Sequence, residues 1–313
     1  MRACHDHGRG EPPLRDREDA APTGRDEARG HARELGVKHV LLVGAALTAF
    51  AGNSVLCRMA LRDGAIDAWS FTALRILSGA TLLAPVLLRR DTESRSAWRP
   101  AAGVALLTYA LAFSFAYCKL PAGTGALILF GAVQATMLGA GLLRGERLNM
   151  RKAAGIATAI TGVVVLLAPG LTAPDPLGAA LMTAAGLAWG AYSLLGRHAR
   201  RPVEATAQNF ALAAVCCAPL LFFGNAERTW SLTGVLLAVA SGTLTSACGY
   251  VLWYAALPTM KATNAAIVQL AVPVLAAGAG ALLLGELPDL RLLLAAMLTL
   301  GGIGAAITAR APW

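Results

Sequence analysis

Charge is scarce in this sequence, and acidic charge is missing where the chain is most apolar. Only 14% of the residues are Asp, Glu, Lys or Arg, about half the share expected of a soluble domain. From Val37 onward the acidic residues fall between apolar runs or near their ends, and none lies at the middle of a run. Histidine is equally sparse: His5, His7, His31 and His39 precede or open the first run, and His198 sits in a loop. Proton-transfer or metal chemistry inside a membrane needs acids, histidines or a metal cluster at one depth, so an enzyme is disfavoured. The six cysteines form no CxxC pair and no metal-ligand spacing, and they read as small hydrophobes among helices. There is no ATP-binding motif, which counts against a primary pump. The alternating pattern of barrel strands is also missing.

What remains is apolar length. The chain has 313 residues, 56% of them hydrophobic, with a mean hydropathy of +0.58. Its apolar runs reach about 20 residues, enough to cross a bilayer as a helix. The fold class expected is therefore an all-α polytopic membrane protein. The runs predict ten helices, at Val37–Cys57, Ala68–Leu88, Ala97–Cys118, Ala122–Leu143, Arg151–Ala168, Pro176–Leu195, Ala205–Phe223, Ser231–Trp253, Ala262–Leu284 and Leu290–Ala309. Met1–Gly36 is polar and rich in Arg, Asp, Glu, Gly and Pro, and it reads as a disordered tail. It lacks the apolar core of a signal peptide. Its His5-Asp6-His7 reads as solvated, not as a metal site, and no cofactor is expected.

The net charge of +9 does not point to nucleic acid. The tail carries 7 arginines against 8 acids, and the basic excess lies in short loops, where it sets orientation. Loops after the even-numbered helices hold 12 Lys and Arg, and those after the odd-numbered helices hold 5. The first set is expected in the cytoplasm, which puts the protein in the inner membrane with both termini cytoplasmic.

Two stretches resemble each other. Ala122–Glu146 and Ala262–Glu286 share 6 of 25 positions at an offset of 140, and both close on Leu-Leu-X-Gly-Glu. The pairing continues through Arg151 with Arg291 and Gly162 with Gly302. At an offset of 139, Ser54 pairs with Ser193, Arg58 with Arg197 and Phe71 with Phe210. Two repeats of five helices predict domains at 37–168 and 176–310. An odd helix number turns the second repeat upside down, an arrangement that places a substrate site where the halves meet.

The doubled Gly-Glu ending resembles the drug/metabolite transporter superfamily, EamA type. So do Phe50-Ala-Gly-Asn-Ser-Val-Leu-Cys-Arg58 and Ser70-Phe-Thr-Ala-Leu-Arg75. The resemblance covers about Val37 to Arg310. It implies an exporter of amino acids or related small metabolites working by alternating access. It also implies a central cavity lined by helices 1 to 4 and 6 to 9, with helices 5 and 10 bracing the sides. Small relatives couple to protons through a glutamate in their first helix. The first helix here has no acid, so that coupling does not transfer.

Arg75 is the only charge well inside a predicted span. It reads either as a clamp for a substrate carboxylate or as a cation snorkelling outward or capping carbonyls. Asn53, Gln134, Asn264 and Gln269 read as interhelical glue or substrate contacts. Pro273 is expected to free a carbonyl near Gln269. Tyr109, Phe113 and Tyr117 lie four apart on one helix face, and Trp189 and Tyr192 belong to the sixth helix. Trp253 and Tyr254 read as interface anchors. Glu146 and Glu286 read as ion pairs or gates. The candidate substrate-binding set is Arg75, Asn53, Gln134, Tyr109, Trp189, Asn264 and Gln269. Expected partners are the lipid bilayer and a small molecule, with no nucleic acid. The alternatives are an integral-membrane enzyme and a non-transporting receptor or scaffold.

Overall fold

The computed structural model describes residues 24–89, 100–143, 150–170, 173–197, 199–219, 229–260 and 262–308. Among them the secondary structure is helical, apart from one isolated bridge between Ile66 and Trp230. The helices are α1 Gly24–Leu61, α2 Ala68–Leu88, α3 Pro100–Tyr117, α4 Ala122–Leu143, α5 Met150–Leu167, α6 Pro176–Gly196 and α7 Pro202–Cys217. Then come α8 Leu232–Ala240, a π-helical segment Ser241–Cys248, α9 Gly249–Ala256, α10 Ala262–Gln269, α11 Ala271–Leu284 and α12 Leu290–Thr308. The chain divides between Val40 and Leu41, and the described helices beyond that point form the bundle.

Among the described residues, eight stretches are long and apolar enough to cross a membrane, and Leu290–Ala306 is a shorter apolar helix. Ten spans were expected. The described part of the seventh run gives the 16-residue α7, and the far end of that run lies outside the described residues. Three further differences concern boundaries. First, α1 begins at Gly24, inside the stretch read as a disordered tail. That segment has no proline after Pro22, and its three arginines, two alanines and two glutamates are good helix formers among three glycines, so a helix can propagate into it once the membrane helix has nucleated. Second, the eighth run is three helical pieces, because its middle adopts i→i+5 bonding. Third, the ninth run breaks at Leu270, whose N–H turns back to the Ile267 carbonyl (3.0 Å). The break lies three residues before Pro273, which has no N–H to give to the preceding turn.

Side chains that satisfy the first free amides set several helix starts. Asp67 accepts from Ser70 N at 2.9 Å, Ser231 from Gly234 N at 3.0 Å and Asp289 from Leu292 N at 2.7 Å. Asp175 accepts from Gly178 N at 2.7 Å, and this amide holds its carboxyl below the usual carboxylate range. Gly285 ends α11 with φ +67°, the left-handed value glycine adopts freely.

Helices related by the repeat pack against each other: α2 on α7, α4 on α11 and α5 on α12. Gly155 of α5 faces Gly302 and Ala306, while Gly162 faces Thr299 and Ala295. Numbers rise along α5 as they fall along α12, so the two run antiparallel. Likewise Gly123 of α4 faces Ala277, and Met137 lies by Gln269. On α6, a Cβ at Gly186 would overlap Leu129 O and Ala132 of α4, and one at Gly190 would overlap Thr136. Small residues thus let these backbones approach closely.

Candidate functional site: a buried ring around Arg75

Arg75 lies on α2 with no exposed surface. Its guanidinium neither snorkels nor caps the backbone. Nε donates to Ser246 Oγ (3.1 Å) and Nη2 to Tyr250 Oη (3.2 Å). Tyr250 Oη donates to Tyr109 Oη (3.3 Å), which also accepts from Asn53 Nδ2 (3.0 Å). Asn53 Oδ1 in turn accepts from Ser246 Oγ (3.4 Å), Ser241 Oγ (2.6 Å) and Thr245 Oγ1 (3.2 Å). These bonds close a ring from Arg75 through Ser246, Asn53, Tyr109 and Tyr250 back to Arg75. Its members come from α1, α2 and α3 of the first half, and from the π segment and α9 of the second.

The guanidinium carbon also lies 5.2 Å from the centre of the Tyr109 ring and 5.1 Å from that of Phe113. Such contacts stabilise a desolvated cation by about 0.5–2 kcal/mol each. Among the described residues, Arg75 Nη1 is buried with no hydrogen-bond partner, and no carboxylate forms an ion pair with Arg75. The result is a buried cation with one donor group to spare.

A second layer surrounds the ring. Trp189 of α6 packs on Tyr250 (centroids 4.7 Å apart), Tyr109 (5.0 Å) and Phe50 (5.2 Å). Its Nε1 donates to Gln269 Oε1 at 3.3 Å. Gln269 ends α10 at the helix break, and its Nε2 donates to the Ala265 carbonyl (3.0 Å). Gln134 is fully buried on α4. The Asn264 side chain lies outside the described residues. The structure therefore gathers Arg75, Asn53, Tyr109, Trp189 and Gln269 into one connected core.

Trp253 and Tyr254, expected at an interface, are buried instead. Trp253 Nε1 donates to Ser193 Oγ (3.3 Å) and Tyr254 Oη to the Tyr192 carbonyl (3.0 Å). Their ring N–H and O–H groups find partners within the bundle, which removes the need for water. Ser241, Thr245, Ser246 and Tyr250 were missed from sequence. The available signal was a run of hydroxyls, Ser241, Thr243, Thr245 and Ser246, inside an apolar span.

At one end of the bundle Glu286 joins both halves. Its Oε1 pairs with Arg58 Nε at 2.7 Å, and its Oε2 accepts the Ala122 amide at 2.7 Å. Arg58 Nη1 donates to the Tyr117 carbonyl (2.9 Å), and Arg62 Nη1 to the Leu284 carbonyl (2.8 Å). The expected ion pairing of Glu286 is thus present. Glu146 lies outside the described residues. A cleft of about 270 Å³ beside this end is lined by Lys119, Thr124, Asp175, Glu286 and Asp289, among others.

The sequence matches the EamA-like transporter family twice, over residues 37–168 and 176–308. The chain belongs to the EamA-like transporter family. An uncharacterised protein of Pseudomonas aeruginosa is 52% identical over 274 residues, covering 87% of this chain and 95% of that one. An uncharacterised transporter of Archaeoglobus fulgidus is 28% identical over 277 residues, covering 84% and 95%. A probable amino-acid metabolite efflux pump of Escherichia coli is 29% identical over 205 residues, covering 58% and 69%. A solved crystal structure with 20% identity aligns over 86% of this chain and 97% of its own, with a TM-score of 0.60. That likeness concerns the fold alone. For this EamA-family chain, the family and the names of its relatives point to a membrane transporter and not to an enzyme.

Proposed function

We propose that the chain is a secondary transporter that exports amino acids or related small metabolites by alternating access. It sits in the inner membrane with both termini in the cytoplasm, as two inverted five-helix halves, 37–168 and 176–310. The antiparallel packing of α5 on α12 supports the inversion, and the name of the Escherichia coli relative supports the substrate class. The observation that carries the reading is the ring around Arg75, built from both halves with Nη1 left over. A guanidinium in that position binds a carboxylate through charge-assisted hydrogen bonds. Asn53, Tyr109, Trp189, Gln134, Asn264 and Gln269 complete the proposed binding set. Rocking of the halves would expose this site to each side in turn.

The test is a metabolite profile of the medium from cells making the wild-type protein or Arg75→Ala at matched membrane levels. A carboxylate-bearing metabolite should accumulate several-fold more with the wild type. Identical profiles would contradict the reading.

A further inference from the structure

Arg75 brings one positive charge into the bundle interior, and no acid accompanies it. None of the 18 carboxylates in the sequence falls within the apolar spanning stretches. The acid nearest to an exception, Glu204 in the first turn of α7, pairs with Arg201 at 2.7 Å. Among the described residues, the groups around the guanidinium are neutral: the Ser246 hydroxyl, the Tyr109 and Tyr250 phenols, the Asn53 amide, the Phe113 ring and the Cys57 thiol. In a low-dielectric site, the net charge left after binding dominates the cost. A ligand with one negative charge leaves zero. A zwitterion leaves one positive charge, and a dicarboxylate leaves one negative charge. The ring faces of Tyr109 and Phe113 already lie over the guanidinium and are not open to an ammonium group.

We infer that the site selects by net charge, and takes a monoanionic carboxylate such as a hydroxy or keto acid ahead of an amino-acid zwitterion or a dicarboxylate. This rests on the reading of Arg75 as the carboxylate clamp. It narrows the substrate to the acids related to amino acids, and it makes the loaded interior electrically neutral.

The full-length protein in lipid nanodiscs can be titrated with matched probes, with thermal stabilisation as the readout. One set is lactate, alanine and lactamide. The other is phenyllactate, phenylalanine and phenyllactamide. Malate adds a second carboxylate to the lactate skeleton. In at least one set the hydroxy acid should stabilise at a concentration about tenfold or more below that of its amino acid. The amide should be no better than the amino acid, and malate weaker than lactate. Amino acids that match their hydroxy acids, with the amides weaker than both, overturn the charge inference and leave the clamp standing. Amides that match the hydroxy acids overturn both. If neither hydroxy acid binds more tightly than its amino acid, the inference is wrong.

Discussion

An arginine placed in hydrocarbon costs about 2.5–3.5 kcal/mol on insertion scales, and Arg75 offsets this without a counter-ion. It uses two neutral acceptors and two ring faces. Lysine at the same position would keep the charge and lose the planar fork, so it could not reach Ser246 and Tyr250 together. Losing one hydrogen bond to a charged group costs about 1.5–3 kcal/mol. Lysine also lacks the paired N–H groups that hold a carboxylate bidentately, so losing one such charged hydrogen bond in Arg75→Lys should weaken carboxylate binding by about 10- to 100-fold while the protein still inserts. Titration of the variant against the wild type in nanodiscs checks this, and unchanged affinity would show that the fork is not used. Arg75 was legible in the sequence as the sole deep charge, and Asn53, Tyr109, Trp189 and Gln269 as polar or aromatic residues inside apolar runs. Their assembly into one core was not legible, because residues up to 193 positions apart meet there.

At the scale of elements, the π segment explains why the hydroxyls of the eighth run escaped notice. Ser241 and Ser246 both bond Asn53 Oδ1. Five residues along an α-helix leave two side chains about 140° apart, so a helical reading puts them on different faces. The i→i+5 turn brings both onto one acceptor, in keeping with the frequent use of π-bulges at functional sites. The same turn seats Gly242 against α2, where an added Cβ would overlap the Arg75 carbonyl and Ser78 Oγ. Gly242→Ala should destabilise the protein by about 1–3 kcal/mol through overpacking. Gly278→Ala, with open space around its position, should be close to neutral. Melting temperatures of the two purified variants decide this, and an equal effect would place the π segment outside the packing described. The break at Leu270 was foreshadowed by Pro273. The burial of Trp253 and Tyr254 was not, since an aromatic pair at a run's end looks the same in sequence whether it faces lipid headgroups or a neighbouring helix.

At the scale of the whole molecule, helicity and membrane class followed from hydropathy alone, and the two-part organisation followed from a weak repeat. The repeat was readable because mates pack on mates, so each half constrains small residues at corresponding positions, as with Gly162 and Gly302. Span count was less readable, because the far end of the seventh run lies outside the described residues and Leu290–Ala306 is near the lower limit of spanning length. The account depends on two oppositely inserted halves meeting at Arg75. The most direct measurement is labelling of single cysteines by a membrane-impermeant reagent in intact cells. The cysteines are introduced at Glu93, Thr172 and Arg200 in a background lacking the six native ones. The account predicts that Thr172→Cys is labelled from outside, and that Glu93→Cys and Arg200→Cys react only after the membrane is opened. Labelling of positions 93 and 172 from the same side would contradict it.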